Sequence, residues 1–481
     1  MDFIKVVKYQ LYLFQLENYE LGRFLKLLLK KGIFLPKEHL RKKLVWTPKA
    51  LAIFILSEVL VLAFAAIICR QAYLTVLENK AAIVFLFLGS VAFLEMFSWL
   101  FLIVAEIILR PVDYIFKQLI IFRAKRRLNK FPEIKIIGIA GSYGKTTMKQ
   151  VLLGVLGAKF NVAATPDSVN TPVGIGRWIL RKVDESTQII IVEMGEHYKG
   201  DVEYLCKIAP PDISVVTGIN EAHLERMGKI EIAVSTIFEI VSNTKPQGLV
   251  VLNGDDEKVM EHYKEYVWPD HELLFFGIKN KSNFKFNQEE LGWDTEMEDL
   301  GRVFIGFLGE YALADAEAAV NIAKHLGMDN ESIKRGIQKI RPVEHRLQPI
   351  QGAEGVLIID DAYNGNSDGA NEAVNVLSRF EGRRKIYITP GLVETGQKTE
   401  EVHREIGIHL AKTVNVVILI RNSVTPFIFE GINESTKNQI TRTKPEIIWF
   451  NTAQEAHQSL PKILKPGDVV LFQNDWGDQY L

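Results

Sequence analysis

The stretch Ile134–Lys149, IKIIGIAGSYGKTTMK, decides how the rest of the chain is read. An apolar run of Ile136, Ile137 and Ile139 reads as a buried strand. It runs into Gly141, Ser142, Tyr143, Gly144, Lys145, Thr146 and Thr147, and then into helical spacing over Lys145–Leu156. Two glycines let backbone N–H groups approach phosphate oxygens, and the following helix adds its positive N-terminal end. Lys145 would neutralise phosphate charge, and the Thr146 hydroxyl would ligate Mg2+. The common phosphate loop needs a glycine five residues before Gly144, and Ile139 stands there instead. The loop is therefore a shorter variety.

Composition narrows the partners. The 481 residues carry a net charge of −1, so nothing global points to nucleic acid. Cys69 and Cys206 are the only cysteines, which argues against a disulfide framework or a structural zinc site. Met1–Tyr19 mixes charges into its apolar residues and does not read as a cleavable signal peptide.

Upstream of the loop the chain is strongly apolar. Ala50–Cys69 carries one acidic residue, Glu58, and Ala81–Leu109 carries two, Glu95 and Glu106. About 20 apolar residues cross a bilayer core as a helix, so the two segments predict a transmembrane hairpin. Arg41, Lys42, Lys43 and Lys49 precede it, and Arg110, Lys117, Arg123, Lys125, Arg126 and Arg127 follow. This basic flanking puts both ends in the cytoplasm, giving a multi-pass protein of the cytoplasmic membrane with its remaining domains inside. Met1–Leu35 reads as an interfacial amphipathic helix.

After Arg127, short apolar runs alternate with helical stretches. Strands are expected at Ile134–Ala140, Ile189–Val192, Ile213–Thr217, Leu249–Leu252, Val356–Ile359, Lys385–Thr389, Val414–Leu419, Ile447–Phe450 and Val469–Phe472. This alternation predicts parallel α/β sheets. The expected division is a juxtamembrane segment 1–48, a hairpin 49–110, a basic linker 111–132, a central nucleotide-binding domain 133–341 and a C-terminal α/β domain 342–481.

Four further runs carry chemistry. In QIIIVEMGEH (Gln188–His197) a strand ends in Glu193, whose carboxylate would emerge at the sheet edge where α/β ligands bind, as a metal ligand. In DISVVTGINEAHLERMG (Asp212–Gly228), His223 follows another strand, placed to touch a metal or its water shell. His345-Arg346 offers a guanidinium for the γ-phosphate. In IIDDAYNGN (Ile358–Asn366), Asp360 and Asp361 end a strand, and Asn364 and Asn366 supply amides for the nucleoside, although Asx-Gly turn chemistry explains Asn364-Gly365 equally well.

Taken in order, GSYGKTT, VEMGEHYKGDVEYL, PDISVVTGINEAHLERMG, VLNGDD, HRLQPI, DDAYNGN and GLVETG resemble the Mur ligase family, nearest its D-alanyl-D-alanine-adding branch. The resemblance spans roughly Ile134 to Asp468. It implies a central P-loop ATPase domain, a Rossmann-like C-terminal domain, and ATP with Mg2+ as cofactors. It also implies a peptide ligase of cell-wall synthesis: ATP phosphorylates a carboxylate acceptor, and an amine attacks the acyl phosphate. Lys145, Glu193, His223 and Arg346 would be catalytic. Thr146, Glu193 and His223 would hold metal, and Gly141–Thr147 with Asp361, Asn364 and Asn366 would hold nucleotide.

The chain also departs from the family pattern. A carbamylated lysine is expected where Ile237 stands, a His and an Asn where Tyr311 and Asp315 stand, and a Lys-Gly-Ser-Arg run where the C-terminal FQNDWGDQYL stands. The apolar hairpin occupies the place of the family's UDP-sugar domain. A membrane-proximal acceptor, such as a lipid-linked precursor, is expected from that. A related ligase with a non-muropeptide acceptor, or a weakened nucleotide-binding membrane scaffold, are the alternatives.

Overall fold

The computed structural model describes residues 3–32, 44–75, 80–166, 169–196, 198–220, 227, 229–279, 281, 283–363, 365–392, 398–437 and 444–473. The chain divides into two units, Met1–Ile120 and Ile121–Leu481.

The first unit is helical. In place of one amphipathic helix, the N-terminal segment forms two, Phe3–Leu16 and Leu21–Lys31. Val7, Leu11, Phe14, Phe24 and Leu28 from this pair pack with Ala50, Ile53, Leu102 and Ala105 in one apolar cluster. Pro48–Thr75 is a single helix, and among the described residues Pro48–Leu74 alone is long and apolar enough to cross a membrane unbroken. The second expected span is not one straight helix over Ala81–Leu109. It consists of Lys80–Glu95 and Ser98–Leu128, bent by 77°. At the break, the Met96 and Phe97 N–H groups reach back three residues to Phe93 and Leu94 instead of four. The buried Ser98 hydroxyl donates to Gln10 Oε1 at 2.7 Å, so a polar contact sits where an apolar span was expected. The flanking cations are partly neutralised. Lys49 lies 3.8 Å from Glu106 and 3.0 Å from Asp113, and Arg110 and Lys117 pair with the same two acids.

The second unit holds three sheets. The first runs through β1 (Lys135–Ala140), β2 (Val162–Ala164), β3 (Ile189–Glu193), β4 (Ile213–Val216), β5 (Leu249–Asn253) and β6 (Glu272–Phe276), all parallel, in the order β2-β3-β1-β4-β5-β6. Alternation along β1 sends Ile137 and Ile139 to one apolar layer with the helices Lys145–Leu156 and Tyr311–His325. Ile136 and Ala140 go to the opposite layer with Val192, Ile237 and Phe238. Because β1 lies between β3 and β4, in register Ile139↔Glu193 and Ala140↔Val216, the residues after Ala140 emerge between Glu193 and Thr217. Later strands fan out to either side of β1, which makes its carboxyl end the crevice of a doubly wound sheet.

A small antiparallel sheet follows: β7 (Phe284–Asn287), β8 (Gly292–Met297) and β9 (Gly301–Ile305). The last sheet contains β10 (Gln348–Gln351), β11 (Leu357–Asp361), β12 (Lys385–Thr389), β13 (Val416–Ile420), β14 (Glu446–Phe450) and β15 (Val469–Gln473), in the order β10-β11-β15-β12-β13-β14. It is parallel except for β10, which runs antiparallel along one edge.

Candidate functional site

The turn after β1 depends on its glycines. Gly141 has φ +145° and Gly144 has φ +79°, both in the region that side chains disfavour. A Cβ on Gly141 would also come within 2.2 Å of Thr217 Oγ1. Polar contacts then hold the loop from behind. The Ser142 N–H donates to Gly218 O at 2.8 Å, and the Ser142 hydroxyl lies 3.4 Å from Asn220 O. The Thr217 hydroxyl donates to Tyr143 O, while Asn253 Nδ2 donates to Thr217 O at 2.7 Å. The Tyr143 hydroxyl donates to Asp256 Oδ2 at 2.7 Å. Asp256 also accepts the Ile219 N–H at 3.0 Å and caps the helix Glu257–His262 through the Val259 N–H at 2.9 Å. Burial, with the Asp256 charge beside it, pushes the Tyr143 phenol well above its ordinary range, so it stays a donor. Asn253 and Asp256 of the run VLNGDD thus position the loop without lying in it.

Two buried ion pairs stand at the loop mouth. Lys149 Nζ lies 2.9 Å from Glu193 Oε2, with side chains 3% and 6% exposed. Lys145 Nζ lies 2.9 Å from Glu196 Oε1 and also donates to Gly141 O. The Thr146 hydroxyl faces both Glu193 oxygens, at 3.4 and 3.3 Å. The Glu193 N–H is held by Thr165 Oγ1 at 3.1 Å. Thr147 is buried in the first turn of the helix Lys145–Leu156. Among the described residues, Glu196 Oε2 has no hydrogen-bond partner, and burial raises the Glu196 pKa above the usual carboxylate range.

The C-terminal sheet brings a second set of polar groups. His345 adopts φ +58° and its Nδ1 lies 2.7 Å from Asp360 Oδ2. Arg346 stacks over the Tyr363 ring, 5.1 Å from its centroid. Asp361 Oδ1 accepts the Leu347 N–H at 3.2 Å, and burial pushes its carboxyl up to about 6. Tyr311, half-buried, and Asp315, buried, sit one turn apart on the helix Tyr311–His325. Burial raises the Asp315 pKa well above its ordinary value, and Asp315 Oδ2 has no partner among the described residues. The two sheets meet where Asn220 Nδ2 donates to Asp368 Oδ2 at 2.8 Å.

Of the residues singled out from sequence, the structure groups Gly141–Thr147 with Glu193 at one sheet edge, and Arg346 with Asp361 at the other. His223 and Asn364 lie outside the described residues, as do most of GLVETG after Leu392 and the C-terminal run from Asn474. Asn366 is a helix cap: its side-chain oxygen accepts the Gly369 N–H at 2.7 Å, which leaves less of it for a nucleoside. Ile237 is fully buried in an apolar layer. Lys149 and Glu196 were not anticipated. A lysine one turn past Lys145 reads as solvated helix surface, and the usable signal was a second acid three residues past the strand-end Glu193.

No group of three or more His, Cys, Asp or Glu side chains among the described residues is arranged to hold a metal. The hard oxygen donors Thr146 and Glu193, together with the unpartnered Glu196 oxygen, nevertheless suit Mg2+ arriving with phosphates.

A glycine turn between strand and helix, a lysine at its mouth and an acid at the neighbouring strand end define an α/β phosphate-site protein with a second α/β domain. Residues 139–323 match the Mur ligase middle domain and residues 345–473 match the Mur ligase, glutamate ligase domain. The chain belongs to the Mur ligase family. It is 25% identical over 348 residues to the UDP-N-acetylmuramoyl-tripeptide–D-alanyl-D-alanine ligase of Bacillus subtilis, covering 71% of this chain and 73% of that one. The ligase of the same name from Haemophilus influenzae is 26% identical over 283 residues, covering 57% of this chain and 61% of that one. The MurF ligase of Thermotoga maritima, solved in complex with ADP, superposes with a TM-score of 0.64 at 25% identity, covering 76% and 81%.

Proposed function

We propose that the chain is an ATP-dependent ligase of cell-wall peptide synthesis, joining a carboxylate acceptor to an amino substrate of the D-alanyl-D-alanine kind. The observation that carries this is the loop mouth, where Lys145 meets the turn Gly141–Gly144 with Thr146 and Glu193 behind it. The named activity of the matching relatives supports the same reaction.

ATP phosphates seat against the loop N–H groups and the helix N-terminus. Lys145 leaves Glu196 for the phosphate oxygens, because a dianionic acceptor outcompetes a single carboxylate. Thr146 and Glu193 would hold Mg2+, which when bound would supply charge neutralisation to the transferring phosphoryl group. Lys149 keeps the Glu193 carboxyl oriented. Arg346 steadies the γ-phosphate from the C-terminal domain. An acceptor carboxylate oxygen bonds to the γ-phosphorus as ADP leaves. The amine then bonds to the acyl carbon, the acyl–oxygen bond to phosphate breaks, and the amine proton passes to the departing phosphate or water.

The apolar helix Pro48–Thr75 supports attachment to a membrane, and the bent helix pair supports a second crossing. With basic residues flanking both, the α/β domains face the cytoplasm. A membrane-proximal acceptor, lipid-linked or a UDP-muramoyl peptide at the surface, fits that placement. Resistance of the full chain to carbonate extraction from membranes tests the attachment, and quantitative release would end it.

A second reading, a nucleotide-binding scaffold, draws on the wholly apolar surroundings of Ile237. Acceptor-dependent ADP release separates the two. A scaffold binds ATP without it, whereas a ligase needs both acceptor and dipeptide for turnover.

A further inference from the structure

Four charged side chains meet at the loop mouth, and their pairing is uneven. Lys149 and Glu193 face each other at 2.9 Å, and the Thr146 hydroxyl also faces Glu193. Lys145 and Glu196 face each other at 2.9 Å, with the Glu196 side chain only 1% exposed. Its Oε1 meets the ammonium, while Oε2 meets nothing among the described residues. A buried carboxylate oxygen without a donor is costly, and proteins keep such a group where something arrives to satisfy it.

Resting on the nucleotide reading above, the next step follows from charge. Once phosphate oxygens take Lys145, Glu196 loses the ammonium it faces and keeps both oxygens in a buried place. Its charge then has to be met by another cation, and the one that accompanies nucleotide phosphates is divalent. We infer that Glu196 is a metal-ligating residue of the loaded site, exchanging the Lys145 ammonium for a divalent cation when nucleotide binds. In the nucleotide-free chain the same pair holds Lys145 back against Gly141 O. Glu196 therefore weakens metal-free nucleotide binding and strengthens metal binding.

The test uses the full chain in detergent micelles with Mn2+ as the probe, reading free Mn2+ by electron paramagnetic resonance at saturating ADP. Glu196→Gln is expected to weaken Mn2+ binding about tenfold or more, with Glu196→Asp between it and the parent. ADP binding without metal is expected to be equal or tighter in Glu196→Gln, since Lys145 is released. Equal Mn2+ affinity in parent and Glu196→Gln, with ADP bound to both, overturns the metal role alone. Failure of the parent chain to bind ADP at all overturns the nucleotide reading and takes this inference with it. Should Glu196→Gln fail to fold, Glu196→Asp decides: unchanged Mn2+ affinity together with unchanged metal-free ADP affinity refutes the exchange.

Discussion

Glu193 and Asp361 each end a strand at the carboxyl edge of a parallel sheet, yet their surroundings differ. Glu193 closes β3 and meets the buried Lys149 ammonium at 2.9 Å with the Thr146 hydroxyl beside it. Asp361 closes β11, is met by the Leu347 N–H at 3.2 Å, and burial raises its carboxyl to about 6. The same topology thus delivers an acid to both edges. Only the edge that carries the glycine loop sets a buried lysine against that acid. The two sheets share an architecture and divide the chemistry.

The largest effect that could break this contrast comes from Lys149→Met. Removing one partner of a buried pair leaves Glu193 uncompensated, at a cost of ~3–5 kcal/mol. Urea unfolding should show that loss, and a change under ~1 kcal/mol would mean the pair does not hold the site. Lys145→Ala comes next. If Lys145 meets the transferring phosphoryl group, ADP formation should fall by about 100-fold or more, ~3 kcal/mol in transition-state terms.

Asp361 sharpens the other side. Its folded pKa of about 6 lies above the ordinary 3.8, so the ionised form opposes folding. That penalty is present above pH ~6 and fades as pH falls toward ~4, so the parent gains stability over this window relative to Asp361→Asn, by ~3 kcal/mol at most. Paired urea titrations at pH ~7 and ~4 measure it, and a parent that gains nothing on acidification contradicts the burial argument. The smallest effect belongs to Tyr143→Phe. It removes the hydroxyl that donates to Asp256, which keeps two backbone donors, so stability should drop by only ~1 kcal/mol. ADP affinity should weaken with it; unchanged affinity would show that Tyr143 does not position the loop, and a larger stability loss would show that the two remaining donors do not satisfy Asp256.

How far the sequence reached follows from the elements themselves. The buried strands of both large sheets, such as Ile189–Glu193 and Val416–Ile420, are continuous apolar runs that only a sheet covered on both faces allows, and they lie within a residue or two of expectation. The expected strands omit β2, which has three half-buried residues, the edge strand β6, whose Glu272–Phe276 is only partly buried, and β7–β9, whose Phe284–Asn287 and Gly292–Met297 are short and heavily polar. Edge strand β10 carries a proline and two glutamines and has no apolar run to announce it. The loop residues were legible because glycine, lysine and threonine at that spacing have few other uses. Lys149 and Glu196 were not, because pairing between a helix and a strand end depends on a crossover that local pattern does not encode. Asn366 carries the opposite ambiguity: a helix cap and a ligand amide look alike in sequence, and the structure shows the cap. The second apolar span read as one helix because hydropathy records length but not the 77° turn at Met96-Phe97.

Replacement of an expected lysine by Ile237 sharpens the question of activity, since that side chain is sealed in an apolar layer and can ligate nothing. The direct measurement is ADP formation by the full chain with ATP, Mg2+, D-alanyl-D-alanine and a UDP- or lipid-linked tripeptide acceptor. ADP and a new amide product are expected only when acceptor and dipeptide are both present, with both signals lost in Lys145→Ala. ATP bound by the chain, with no ADP released in response to either substrate, would contradict the ligase reading.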